Sequence, residues 1–129
     1  MIIGLGIDLL DSRRIDGIMQ RHGDRFQNKI YTRGEREFAL DRTKPNESFA
    51  KIFSTKEAVI KAISNVSGVF WHDIEVFHDK NGKPIIKLHN MAHKNLLKKT
   101  NGAAYKIDVT VSDERHYVIA FAIVTLEKT

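Results

Sequence analysis

Ile3, Leu5, Ile7 and Leu9 alternate with Gly4, Gly6 and Asp8, the two-residue period of a β-strand. One face of this strand is aliphatic. The other carries two glycines and then a carboxylate, and glycine inside a strand marks a close approach by another backbone or by a ligand. Past Leu10 the period lengthens. Asp11 or Ser12 caps a helix over Arg13–Arg21, with Ile15, Ile18 and Met19 on its apolar side and Arg13, Arg14, Asp16, Gln20 and Arg21 on the opposite side. His22–Asp24, around Gly23, breaks this helix, and a short one follows near Phe26. Thr32 and Glu35 form a capping-box signature for a helix reaching about Leu40. Lys44-Pro45-Asn46 makes a turn, a long helix runs from about Glu47 to Ser64, and residues 65–72 are a loop.

The remainder is mostly strand. Asp73–His78 and Pro84–His89 flank Asp79-Lys80-Asn81-Gly82-Lys83, and Asn-Gly between two such runs is a strong hairpin signal. Met91–Lys99 reads as a helix around Leu96 and Leu97, and Tyr105–Val111 and Tyr117–Leu126 form a second antiparallel pair. The order strand, helices, hairpin, helix, hairpin predicts an α+β fold of antiparallel strands packed with helices. No linker or repeat divides the chain, so residues 1–129 are expected to form one domain.

The long helix contains the least ordinary pattern. Phe49, Ile52, Phe53, Val59, Ile60 and Ile63 share one apolar face, yet Lys56 falls near its middle and Glu57 at its edge. A charge buried without a partner costs several kcal/mol or so. A plain structural account has Lys56 snorkel its stem while Glu57 pairs with Lys61 one turn on. A functional account joins Glu57 to Asp8, the carboxylate of the glycine strand. Two carboxylates facing a phosphorylated ligand make a magnesium site, with waters and phosphate oxygens completing the coordination. Lys56 and Lys61 would neutralise phosphate charge.

Composition narrows the classes. The chain has 129 residues, 42% hydrophobic and 29% charged, in the range of soluble globular domains. It has no cysteine, which excludes disulfides, thiolate metal sites and cysteine nucleophiles and suits a cytoplasmic location. The longest apolar run, Val118–Leu126, falls far short of the ~20 residues of a membrane span, so no membrane association is expected. The N-terminal stretch lacks a basic leader and a cleavage site, which argues against a signal peptide. The net charge of +5 favours an anionic partner. A small basic nucleic-acid-binding domain would share that charge, but it leaves the Gly4–Asp8 strand and Lys56-Glu57 without a role. No P-loop, GxSxG or GxGxxG motif occurs. His89 and His93 lack a third ligand and read as surface histidines.

GLGIDLLDSRRI (Gly4–Ile15) followed by FSTKEAVIKAI (Phe53–Ile63) resembles the two signature segments of the holo-acyl-carrier-protein synthase branch of the phosphopantetheinyl transferases, approximately GxDxxxxxRI and then FxxKEAxxKA. The matching residues are Gly6, Asp8, Arg14 and Ile15, then Phe53, Lys56, Glu57, Ala58, Lys61 and Ala62. IEVFHDKNGKP and VTVSDERHYVIAFAIV are similar to the family's later strands, so the resemblance spans essentially the whole chain. It implies an α+β homotrimer with active sites at the subunit interfaces. It also implies transfer of 4′-phosphopantetheine from coenzyme A to a serine of apo acyl carrier protein, in fatty acid biosynthesis, with release of adenosine 3′,5′-bisphosphate. No nucleic acid partner is then needed. The resemblance makes Asp8 and Glu57 magnesium ligands, with Lys61 beside them in catalysis. It puts Lys56, Lys61, Gly82, Lys83 and Pro84 against coenzyme A, and Arg14 and Arg21 against the acidic carrier protein. For the general base it leaves a metal-bound water, a carboxylate, or a water held by Glu57.

The chain departs from that pattern twice. Ile63 to Gly68 reads ISNVSG where many relatives carry a glycine-rich segment, and Asp108 stands where many carry a histidine. The polar 64–68 loop is therefore expected to be mobile, and Asp108 to turn from the nucleotide or to pair with a basic side chain.

Overall fold

The computed structural model describes residues 1–127. Its elements are β1 (Ile2–Asp11), α1 (Ser12–Ile30), α2 (Arg33–Leu40), α3 (Pro45–Ile63), a 3-10 turn (Trp71–Asp73), β2 (Ile74–His78), β3 (Pro84–Leu88), α4 (Asn90–Lys99), β4 (Tyr105–Glu114) and β5 (Tyr117–Leu126). The fold is α+β. β5 lies between β1 and β4 in an antiparallel three-stranded sheet, and β2 and β3 form a separate antiparallel hairpin. The two carboxy-terminal strands pair as the sequence predicts. That β1 joins them is a non-local pairing with no signature of its own in the sequence.

Register decides which face of β1 is buried. Gly4, Gly6, Asp8 and Leu10 lie opposite Val124, Ala122, Ala120 and Val118, and those β5 residues are all buried in the core. α3 packs on this face through Ala58 and Ala62. The glycines are thus where the strand meets a helix backbone. A Cβ on Gly6 would stand closer than 3.0 Å to the Ala58 carbonyl oxygen and only 2.8 Å from the Ala62 amide nitrogen. The aliphatic face of β1 points the other way, leaving Leu5, Ile7 and Leu9 exposed together with Tyr117 and Ile119 of β5.

The helices follow their local signals. Asp11, rather than Ser12, is the N-cap of α1 and accepts from the Arg13 amide. The break expected at His22–Asp24 is a kink at His22, where φ is −142° and ψ is 36°. The Thr32–Glu35 capping box forms in full. Pro45 sits in the first turn of α3, where its missing N–H costs nothing. No described helix is long and apolar enough to cross a membrane.

Candidate active site

The inward face of β1 delivers Asp8 to α3. Its side chain is 13% exposed. Asp8 Oδ2 accepts from Ser54 Oγ at 2.9 Å, and Oδ1 lies 3.3 Å from Lys61 Nζ, which also donates to the Ile7 carbonyl at 2.9 Å. Ser54, Glu57 and Lys61 recur at helical spacing, so one side of α3 meets Asp8 with a hydroxyl, a carboxylate and an ammonium. Burial raises the Glu57 pKa first, and the Asp8 charge raises it further. Lys61 and Arg14 oppose that rise. Two carboxylates distant in sequence therefore share one field. Among the described residues no ion pair or hydrogen bond occupies the Glu57 carboxylate. Lys61 pairs with Asp8 instead of with Glu57.

These two carboxylates suit a divalent cation. Burial and, after it, the neighbouring Asp8 charge disfavour the ionised state of Glu57, and a bound cation would offset that penalty. Magnesium needs few protein carboxylates when phosphate oxygens and water complete its octahedron. Ser54, which hydrogen-bonds Asp8, escaped the sequence reading. Its place one turn before Glu57, facing the strand, was the available signal.

Lys56 departs from its expected role. It is fully buried, so it neither snorkels nor reaches a phosphate in solvent. Its ammonium lies 2.6 Å from Glu35 Oε1 and donates to the carbonyls of Ile30 at 2.7 Å and Trp71 at 3.1 Å. Glu35 was legible only as a capping residue. A lysine in the middle of an apolar face demands a buried anion, and that demand is the signal that points to it.

Gly82, Lys83 and Pro84 shape the tip of the β2–β3 hairpin. Asp79 Oδ1 accepts from the amides of Asn81 and Lys83 at 2.8 and 2.9 Å. Gly82 has φ +82°, a conformation that favours glycine. Gly82 and Pro84 border a 140 Å³ hollow with Lys51, Thr55 and Val111. Asp8, Glu57 and Lys61 do not line it, so this hollow does not join the hairpin tip to the carboxylate pair. On α1, Arg13, Arg14, Gly17, Ile18 and Arg21 line an open groove of about 460 Å³. Arg14 links this groove to the site through its field on Glu57.

The two departures resolve differently. Asp108 pairs with Lys106 at 3.7 Å, as expected. The 64–68 loop, expected to be mobile, is tied to α4. Asn95, only 2% exposed, donates to the carbonyls of Asn65 and Ser67 at 3.0 and 2.9 Å, and Lys99 reaches Ser64 Oγ at 3.3 Å. A buried amide from another element supplies anchors that the loop's own polar composition does not reveal. Replacing Asn95 with alanine should therefore raise hydrogen exchange in residues 64–68, since both loop carbonyls lose their donor. Unchanged protection there would show that the loop holds itself. His89 pairs with Glu75 at 2.9 Å and His93 with the Tyr105 hydroxyl at 2.7 Å, so these histidines serve different partners.

A family model described as the 4′-phosphopantetheinyl transferase superfamily matches residues 4–122. A holo-[acyl-carrier-protein] synthase from Methylorubrum populi is 38% identical over 127 residues, covering 96% of this chain and 93% of that protein. The crystal structure of a holo-[acyl-carrier-protein] synthase from Neisseria meningitidis superposes with a TM-score of 0.83 at 30% identity, covering 97% of this chain and 99% of that one. A Bacillus anthracis holo-(acyl-carrier-protein) synthase in complex with coenzyme A (3′,5′-ADP) gives a TM-score of 0.76 at 27% identity, covering 96% of both chains. The chain belongs to the 4′-phosphopantetheinyl transferase superfamily and, within it, to the holo-acyl-carrier-protein synthase type. It is accordingly an enzyme, a phosphopantetheinyl transferase.

Proposed function

We infer that this chain, as one domain over residues 1–129, transfers 4′-phosphopantetheine from coenzyme A to a serine of apo acyl carrier protein and releases adenosine 3′,5′-bisphosphate. The observation that carries this reading is the meeting of Asp8 with Ser54, Glu57 and Lys61 at the β1–α3 contact, within a chain of this family. The serine hydroxyl attacks the phosphorus bearing the pantetheine arm and gives up its proton to a base. The bond from that phosphorus to the bridging oxygen breaks, adenosine 3′,5′-bisphosphate leaves with that oxygen, and negative charge grows on the pyrophosphate oxygens. Such a reaction is served mainly by positioning and by fixed positive charge. Asp8 and Glu57 are the residues that would hold magnesium, which when bound supplies Lewis acidity and a template for the diphosphate. Ser54 orients the Asp8 carboxylate. Lys61, half exposed and anchored on the Ile7 carbonyl, offers its ammonium to phosphate oxygens.

The hairpin tip and the carboxylate pair are two half-sites on one chain, and a homotrimer would bring one copy's half to another's. The exposed Leu5, Ile7, Leu9 and Ile119 support such an assembly, because contiguous apolar surface of this kind marks an interaction face. Gly82, Lys83 and Pro84 would then meet coenzyme A bound at the neighbouring carboxylates. The location is cytoplasmic, and the product serves fatty acid biosynthesis. The test is a mass-spectrometric assay of apo acyl carrier protein with coenzyme A and magnesium. Gain of one phosphopantetheine mass, abolished by chelation and restored by magnesium, is expected. A carrier protein of unchanged mass refutes the reading.

Arg14 and Arg21 belong to the basic α1 groove and would receive the acidic carrier. Arg21→Glu should raise the KM for carrier protein roughly tenfold and leave the KM for coenzyme A within about twofold, since rim charges act mainly on association. Salt should weaken the wild-type interaction in the same direction. An equal loss of coenzyme A affinity would assign Arg21 to the nucleotide instead.

A further inference from the structure

The proposed chemistry leaves the Lys56–Glu35 pair without a role. Both side chains are fully buried, and their charged atoms are 2.6 Å apart. Besides the capping contact to Thr32, the pair reaches three other parts of the chain. Lys56, on α3, donates to the last carbonyl of α1, at Ile30, and to the Trp71 carbonyl in the 3-10 turn ahead of β2. Glu35, on α2, accepts from the Thr32 amide at 2.8 Å and from the Val76 amide of β2 at 2.7 Å. Burial pushes the Glu35 pKa up and the Lys56 pKa down, and each partner opposes the shift of the other.

Stability alone is a poor reason for such a pair. A buried ion pair is often no more stabilising than apolar residues of the same volume. Geometry offers a better one. Among the described residues the β2–β3 hairpin has no ladder to the three-stranded sheet, so no strand pairing there fixes its orientation. Glu35 occupies the edge of β2 at the Val76 amide, where a neighbouring strand would otherwise stand. Lys56 holds the turn that feeds the same strand. Both anchor it to α3, the helix that carries Glu57 and Lys61 on its other side.

We propose that Lys56 and Glu35 are positioning residues that set the β2–β3 hairpin against α3, and so hold Gly82, Lys83 and Pro84 in register to receive coenzyme A. This rests on the transferase reading above. The pair touches no reacting atom. It acts through the hairpin, and its loss should be felt by the co-substrate and not by the carrier protein, which docks on α1.

The experiment uses the full-length enzyme with Lys56→Met/Glu35→Gln, which removes both charges while keeping side-chain length, and with Glu35→Asp alone as the milder change, since it keeps a carboxylate beside Lys56 and shortens only its reach. KM and kcat are measured for each substrate, with coenzyme A affinity measured separately by calorimetry. The double variant should show a roughly tenfold higher KM and Kd for coenzyme A, with the KM for carrier protein within about twofold. Glu35→Asp should shift the same constants in the same direction by less. A merely structural role predicts otherwise, because a smaller folded fraction lowers apparent kcat and leaves KM unmoved. If the double variant does not fold, Glu35→Asp decides. Folded variants that keep the wild-type constants for coenzyme A overturn this inference alone. A wild-type chain that neither binds nor uses coenzyme A overturns it together with the functional reading.

Discussion

Asp8→Asn and Glu57→Gln should each lower kcat/KM for phosphopantetheine transfer by about 10²–10³-fold, the scale of deleting one preorganised group that stabilises developing charge. Both substitutions preserve shape, so neither opens a cavity. Their effects on stability should differ in an informative way. Asp8 accepts from Ser54 and lies against Lys61, so asparagine at this position loses a charged partner and should melt slightly lower. Glu57 is half-buried, and the charge of Asp8 adds to the burial that disfavours its ionised form. The Glu57→Gln substitution removes that repulsion, so the melting temperature of this variant should equal or exceed that of the wild type. A stability gain that comes with lost activity is the mark of a site held in an unfavourable field for function. Activity measured across a magnesium titration, with parallel thermal melts, checks both parts. Near-normal turnover by either variant at limiting magnesium would remove that residue from the metal site.

Much of this arrangement was legible in the sequence because the signals were local. Thr32 and Glu35 announce a helix start and Asn81-Gly82 a turn, each through a few neighbouring backbone groups, whereas Pro45, expected in a turn before a helix at Glu47, is itself in the first turn of α3. The oddity of charge at Lys56 and Glu57 was legible too, since helical period alone places both against an apolar face. The partner of Lys56 was not legible, and Asp8 was only one of two partners open to Glu57. Lys56 and Glu57 are adjacent in sequence but leave α3 in different directions, one to Glu35 in the interior and the other to the field of Asp8 at the surface. Which direction each takes depends on where α2 and β1 pack, and that is fixed by non-local register. The same limit applied to the 64–68 loop, whose anchor Asn95 comes from α4. Family resemblance supplied the pairing of Asp8 with Glu57, and the β1–α3 contact supplies its physical basis.

That contact makes Gly6→Ala the most crowded of the glycine-to-alanine substitutions. Where space allows, Gly→Ala stabilises by about 0.4–1 kcal/mol, because alanine has less freedom to lose on folding. Gly23 is such a place, with nothing within 4 Å of an added Cβ, and Gly23→Ala should be neutral or slightly stabilising. At Gly6 the added Cβ meets backbone: the Ala58 carbonyl, and the Ala62 amide nitrogen at 2.8 Å. Neither can rotate away as a flexible side chain would, so β1 and α3 must separate. Overpacking of this kind costs about 3 kcal/mol or more, a fall in melting temperature on the order of 10 °C for a domain of this size. The loss should extend beyond stability, because Asp8 lies two residues along the same strand and reaches Ser54 and Lys61 only while β1 rests on α3. The fraction that remains folded should therefore turn over more slowly than wild type and require more magnesium. Urea or thermal melts of Gly6→Ala and Gly23→Ala, read beside the activity per folded molecule, test the sequence of effects. If Gly6→Ala melts with the wild type, the helix does not approach the strand as closely as the packing of Ala58 and Ala62 requires. If it melts lower yet keeps full activity per folded molecule, Asp8 does not depend on this contact for its place.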